Sequence, residues 1–268
     1  MTEQPPEAQG SAKPDLVMIH GMWSTPAVFA EMGEYFEQQG YRVHIPALPG
    51  HRPMVEMDES ARISLKQCGI NTYAAAIEQL VRSLPRPPVL IGHSMGGLIA
   101  QMVAARVPVE RLILLSSAAP AGINSWAWSV VRTFGHNLFK FPLWRSLTEV
   151  GPANIRYGIA NSQTPAVQQD IHQLTTYESG LASFQIGMWF LFRKPLTRLD
   201  PEAVGCPVLL LSGQQDRITP ITVQRKIARL YKDKATLIEL PGLCHWTIAG
   251  HGLDTVTGHI KEWLARDG

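Results

Sequence analysis

The chain has 268 residues, 45% hydrophobic and 17% charged, with a formal net charge of +2. That mixture belongs to a globular chain with a sizeable core rather than to a disordered one. So small a net charge gives no ground for a nucleic-acid partner or an anionic membrane surface, and no stretch approaches the roughly 20 apolar residues of a membrane span.

Residues 1–14 are polar, rich in Pro, Gln and Glu, and read as a disordered tail. They lack a basic region followed by an apolar core, so no signal peptide is expected and a cytoplasmic location is the default. Residues 15–19 form a short apolar strand ending in His20-Gly21-Met22-Trp23, and a helix over 28–39 stops at Gly40. A second strand over 41–45 closes with Pro46-Ala47-Leu48-Pro49-Gly50-His51. Residues 52–69 are polar and irregular, a loop with at most one turn. A helix over 71–84 carries Tyr73, Ile77, Leu80, Val81 and Leu84 on one face. Val89-Leu90-Ile91 reads as a strand buried on both faces, which turns at Gly92-His93-Ser94-Met95-Gly96 into a helix from Leu98. Another strand spans 111–115. Up to here strands alternate with helices, and parallel strands joined by right-handed helical crossovers are the economical arrangement.

The alternation then stops. Residues 122–199 hold more than half of the chain's aromatics and read as helices over 125–139, 143–150, 152–160, 165–177 and 180–193, with no strand. Inserted after a strand that ends beside Ser94, they are expected to form a helical lid over the carboxyl edge of the sheet, where open α/β sheets bind ligands. The sheet resumes over 207–213 and leads into Gln214-Gln215-Asp216-Arg217. A helix over 221–231, a strand over 235–240, the loop Pro241-Gly242-Leu243-Cys244-His245-Trp246 and a helix over 253–265 close the chain. The expected domains are thus a core, 15–121 with 200–268, and a cap, 122–199. The three cysteines, Cys68, Cys206 and Cys244, are too few for a disulfide framework, and Cys206 and Cys244 fall at opposite sheet edges.

The turn Gly92-His93-Ser94-Met95-Gly96 fits G-x-S-x-G between a strand and a helix, the nucleophile elbow that lifts a serine hydroxyl above a sheet edge. A Cβ at Gly92 or Gly96 would not fit so tight a bend. A serine hydroxyl needs a neighbouring base, most often a histidine oriented by a carboxylate. Asp216 and His245 lie at the ends of two further strands. Parallel strands bring them to the edge that carries Ser94. Of the nine histidines, only His245 follows the last strand directly on a Gly-containing turn; His93 is expected to point away from the nucleophile, and His20 to shape its own loop by hydrogen bonding. The Met95 N–H at the helix N-terminus is expected as one oxyanion donor, and the Met22 N–H as the second, with that of Trp23 as the next candidate. Trp23, Trp126, Trp128, Met188, Trp189 and Trp246 are candidates for the substrate pocket.

The segments His20–Trp23, Pro46–His51, Gly92–Gly97, Gly213–Asp216 and Gly242–Trp246, in this order and spacing, resemble the α/β-hydrolase superfamily from residue 15 to the C-terminus, the insertion resembling a family cap. The resemblance implies an α/β fold with a mostly parallel sheet flanked by helices, and the chain order Ser94, Asp216, His245 for the triad. The chain departs from the family pattern by starting at its third strand, and by carrying His51-Arg52-Pro53 where many relatives have a further Gly and Ser. The expected activity is hydrolysis of a carboxylic ester of a small to medium, largely apolar molecule through an acyl-enzyme, without metal or organic cofactor, by a monomer or homodimer. Lactone, amide or carbon–carbon bond cleavage, acyl transfer and a low-turnover ligand receptor are the alternatives.

Overall fold

The computed structural model describes residues 13–266. The tail expected over 1–14 therefore lies outside the described residues, apart from Lys13 and Pro14. Lys13 itself is held against the core, its ammonium 4.5 Å from the centre of the Tyr41 ring.

The strands are β1 (Leu16–Ile19), β2 (Val43–His44), β3 (Val89–His93), β4 (Arg111–Leu115), β5 (Leu147–Thr148), β6 (Glu178–Ser179), β7 (Val208–Gly213) and β8 (Ala235–Leu240). Six of them form one parallel sheet in the order β2-β1-β3-β4-β7-β8. Period-two alternation divides each strand between two cores. Val17 and Ile19 face one core with Leu90, and Leu16 and Met18 face the other with Ile91. The first core is completed by Tyr73 of α3 (Ile70–Ser83), Leu98 of α4 (Met95–Ala104) and Ile227 and Tyr231 of α9 (Ile221–Tyr231). The second takes Met32 and Phe36 of α1 (Ala30–Gln38) and Val256, Ile260 and Trp263 of α10 (Leu253–Leu264). Each such fully buried side chain contributes about 1.5–3 kcal/mol. With both faces covered and all strands parallel, the free chemistry of the sheet is confined to the loops at its carboxyl edge.

Several elements differ from the sequence expectations. Residues 52–69 are not a loop: α2 (Glu59–Gln67) is capped by Asp58, whose Oδ1 accepts the Ala61 N–H at 2.8 Å, and it buries Ala61 and Leu65. The insertion contains strands after all, β5 paired antiparallel with β6. Its helices are shorter than their apolar patterns: α5 (Trp128–Phe134) stops at Gly135, and α8 (Gly180–Gly187) gives way to a 3-10 turn at Trp189–Leu191. Between them lie α6 (Pro152–Asn154), a π-turn over Ile155–Ile159 and α7 (Pro165–Gln173). Residues 143–150 form a 3-10 turn followed by β5 rather than a helix. All three cysteines are free and buried.

The insertion meets the loops at the carboxyl edge through its backbone. Thr176 N–H donates to the Trp23 carbonyl at 2.9 Å, and Trp246 N–H to the Ile159 carbonyl at 3.1 Å. Arg217 donates to the Tyr157 carbonyl and Asn161 to the Gln215 carbonyl.

Candidate active site

The elbow follows from close packing of backbone on backbone. Ser94 stands at φ 55°, ψ −119°, a conformation costing about 1–3 kcal/mol that persists only where the surroundings fix it. They do so here. Ser94 N–H donates to the Leu115 carbonyl, and the Ser94 carbonyl accepts from Gly97 and Ala118. A Cβ at Gly92 would lie 2.3 Å from the Gly96 carbonyl oxygen, and one at Gly96 2.0 Å from that of Ile19. Neither contact has a rotamer to relieve it. The N-terminus of α4 begins at Met95 and directs its free N–H groups toward the turn.

Asp216, 5% exposed, leaves the end of β7 and is surrounded by donors. Its Oδ1 accepts the N–H groups of Ile218 and Thr219, both at 2.8 Å; its Oδ2 accepts the Thr219 hydroxyl and His245 Nδ1–H, again at 2.8 Å. Burial alone would raise its pKa, but the adjacent His245 and the hydrogen bonds from His245, Thr219 and Ile218 outweigh burial and hold the carboxyl below its usual range. With the proton on Nδ1, the second ring nitrogen of His245 is left as an acceptor. His245 and Ser94 line the same small cavity.

His93, expected to point away from Ser94, packs against His245. Its ring lies 4.9 Å from that of His245, and its Nε2–H donates to the His245 carbonyl at 2.9 Å. Burial, and next the neighbouring His245, push its pKa down to about 3. It is thus a neutral support beneath the loop that carries His245. His20 plays the expected part. Its Nδ1–H donates to the Gly21 carbonyl and its Nε2 accepts the Leu48 N–H, joining the loops after β1 and β2. Burial and the nearby His51 lower its pKa to about 3. The loop it holds passes close to the elbow: a Cβ on Gly21 would sit 3.0 Å from Ser94 Cβ. Met22 and Met95 both border the large cavity beside Ser94.

Two cavities meet at Ser94 and share Met22, Phe134 and Ile218 as walls. The small one, about 40 Å³, is bounded by Trp23, Val28, His245 and Trp246. The large one, about 520 Å³, runs under the insertion between Met95, Ala118, Trp126, Leu138, Phe184 and Met188. Of the six pocket candidates, Trp23 and Trp246 thus border the small cavity and Trp126 and Met188 the large one. Trp128 and Trp189 border neither: Trp128 is 76% exposed, and Trp189 packs edge-on against Phe190. Trp128 opens α5, and Trp189 lies two residues past the end of α8.

A buried polar seam between insertion and core includes only Trp23 of the sequence candidates. Glu178 of β6, fully buried, accepts the Tyr73 hydroxyl at 2.7 Å, the Ser179 N–H at 2.7 Å and His51 Nε2–H at 3.0 Å. The Glu178 carbonyl accepts from Thr148 Oγ1, which itself accepts Trp23 Nε1–H at 3.0 Å. Nothing local in the sequence signals this, because its members come from five separate segments. Among the described residues no group of three or more His, Cys, Asp or Glu is arranged to hold a metal ion, and no helix is long and apolar enough to cross a membrane.

Residues 16–255 match the model of a family described as the alpha/beta hydrolase family. Similar curated proteins include the pimeloyl-[acyl-carrier protein] methyl ester esterase of Xanthomonas axonopodis pv. citri, 27% identical over 94% of this chain and 95% of that one. That of Chromobacterium violaceum is 28% identical over 91% of each. The magnesium-chelatase 30 kDa subunit of Rhodobacter capsulatus is 27% identical over 94% of this chain and 87% of its own. Among solved structures, an extracellular alpha/beta-hydrolase from a Paenibacillus species superposes with a TM-score of 0.70 at 19% identity, over 95% of this chain and 100% of that one. A pyrethroid hydrolase from Sphingobium faniae gives 0.68 at 20% identity, over 94% and 97%. At these identities the structures speak for the fold alone.

Proposed function

The chain belongs to the alpha/beta hydrolase family, and on that premise we propose that it is a serine hydrolase cleaving carboxylic esters of a small alcohol and a bulky, largely apolar acid. The observation that carries the reading is the buried Asp216–His245 pair, 2.8 Å apart, opening on the cavity that Ser94 also lines. His245 takes the hydroxyl proton as Ser94 Oγ attacks the carbonyl carbon, and Asp216 keeps the ring in the tautomer that can accept it. The N–H groups of Met22 and Met95 stabilise the oxyanion. The tetrahedral intermediate collapses as His245 returns the proton to the departing alkoxide, leaving an acyl-Ser94. Water, deprotonated by the same His245, then releases the acid.

The two cavities divide the substrate. The leaving oxygen must lie within reach of His245, and His245 borders only the small cavity. One water needs about 10–15 Å³ of such space. About 40 Å³ therefore admits an alkyl group of a few heavy atoms. The acyl chain takes the large cavity, whose 520 Å³ lies in the range usual for small-molecule sites. The relatives named for a methyl ester of an acyl chain support the same partition. In this reading residues 122–199 serve as the lid that walls the acyl site.

Hydrolysis of methyl esters of medium-chain acids, followed with Ser94→Ala and His245→Ala, tests the proposal. Each variant should lose at least about a thousandfold in kcat with its fold intact. Undiminished turnover in Ser94→Ala would overturn the mechanism.

A further inference from the structure

The net charge of +2 hides an uneven distribution. Two stretches of the insertion combine bulky apolar side chains with cations and contain no carboxylate: Phe139-Lys140-Phe141-Pro142-Leu143-Trp144-Arg145 and Trp189-Phe190-Leu191-Phe192-Arg193-Lys194-Pro195-Leu196-Thr197-Arg198. A chain of ring contacts joins them in space. Phe141 meets Trp144 at 5.9 Å, Trp144 meets Phe184 at 5.0 Å, and Phe184 meets Phe192 at 5.7 Å. Phe139 and Phe141 are 87% and 88% exposed, Phe190 and Leu191 54% and 59%. Single exposed apolar residues are ordinary; a contiguous group of large ones marks an interaction surface. Arg145, Arg193, Lys194 and Arg198 are exposed around it, and no ion pair to any of them is found among the described residues. Phe141 and Trp144 also wall the large cavity, so that cavity reaches the surface inside the patch.

We propose that this patch docks the protein on an anionic lipid bilayer, with the aromatic rings in the headgroup–acyl boundary and the arginines and lysine on lipid phosphates. Phe139 and Phe141 stand almost wholly clear of the protein, so little of their surface is shaped against a complementary face. A folded partner needs such a shape and a fluid acyl layer does not. Aromatic rings favour the interfacial level, and long basic side chains reach the phosphates from there. The mouth of the large cavity then faces the acyl layer, and an apolar ester dissolved in the bilayer enters without crossing water. This last step rests on the reading of that cavity as the acyl site; the docking itself does not.

Sedimentation with vesicles of phosphatidylcholine, with and without phosphatidylglycerol, tests the docking independently of turnover. The full chain should bind the anionic vesicles, much less the neutral ones, and release at high salt. Phe139→Ser with Phe190→Ser should abolish binding. Arg193→Ala with Lys194→Ala should weaken it about 25-fold, about fivefold for each basic residue. None of these four side chains lines either cavity, so both variants should keep wild-type turnover of a short, water-soluble methyl ester, which also reports that they are folded. Equal binding to neutral and anionic vesicles, or none to either, would overturn the proposal. So would a dimer that Phe139→Ser dissociates, which would assign the patch to a second copy, or salt-sensitive capture of an acidic carrier protein without vesicle binding. A protein that binds vesicles but hydrolyses no ester sinks the proposed function and leaves the docking standing.

Discussion

A Cβ added to Gly96 at the elbow would lie 2.0 Å from a backbone oxygen, while one added to Gly187 in the insertion meets nothing nearer than a ring carbon of Trp126 at 3.7 Å. That contrast separates two ways of holding a group in place. At the carboxyl edge of the sheet, backbone lies against backbone and fixes Ser94 in a strained conformation. In the insertion, side chains do most of the positioning; Gly180 at the start of α8 is the exception, packed on the Leu143 carbonyl oxygen as closely as Gly96 is on that of Ile19. Glu178 gathers three donors, Trp23 reaches across to Thr148, and the rings of Trp144 and Phe184 wall the large cavity. On the proposed reading, chemistry that tolerates little displacement sits on the first kind of support, and the surface that selects a substrate sits on the second.

The contrast breaks first at the glycines. Gly96→Ala is expected to lose more than about 4 kcal/mol of stability or to fail to fold, while Gly187→Ala should stay within about 0.5 kcal/mol of wild type. Denaturant midpoints measure both. Similar losses for the two would mean that the elbow is no tighter than the turn at Gly187.

The seam between the regions gives the next largest effect. Glu178→Gln removes the charge that His51, Tyr73 and the Ser179 N–H all address, and should cost about 3 kcal/mol. If the catalytic edge is held independently, kcat on a methyl ester should change by less than about tenfold at a temperature where the variant is folded. A thousandfold loss would instead make the seam part of the chemical machinery.

Acid should then find the edge before the insertion. His20 and His93 have pKa values of about 3 in the folded chain, against about 6.5 when free, because burial excludes their charged forms. The unfolded chain therefore takes up protons first. Stability is complete above the free value and falls as the pH drops from there toward 3. Going from about pH 7.5 to about pH 6 should cost roughly 0.8 kcal/mol for each histidine. Denaturation at the two pH values measures this, and His93→Asn should remove half of the dependence. A dependence unchanged in His93→Asn would place its origin elsewhere.

Sequence was a sound guide where backbone does the positioning. The glycines of the elbow, the apolar runs of β3 and β7, and the placing of Asp216 and His245 at strand ends all carry local signals. It was a poor guide where distant side chains do it. α2 was hidden because it buries only Ala61 and Leu65 and leaves Ile63 half exposed, although Asp58 ahead of it was a readable cap. β5 and β6 are two residues each and thirty positions apart, too short for any alternation to show. Glu178 was invisible because a carboxylate is expected outside unless its partners are known, and these lie on α3 and in the loop after β2. Trp128 and Trp189 follow the aromatic composition of the insertion, which does not tell which rings face inward: Trp128 opens α5 with its side chain in solvent, and Trp189 packs against Phe190 past the end of α8.

The partition of the substrate between two cavities is the central claim, and two isomeric esters test it most directly. Methyl nonanoate and octyl acetate share every atom and differ only in which side of the ester carries the chain. The kcat/KM for methyl nonanoate should be at least about a hundredfold higher, since four methylenes buried in the large cavity contribute about 0.8 kcal/mol each, while an octyl group overfills the small one. Equal rates, or a preference for octyl acetate, would contradict it.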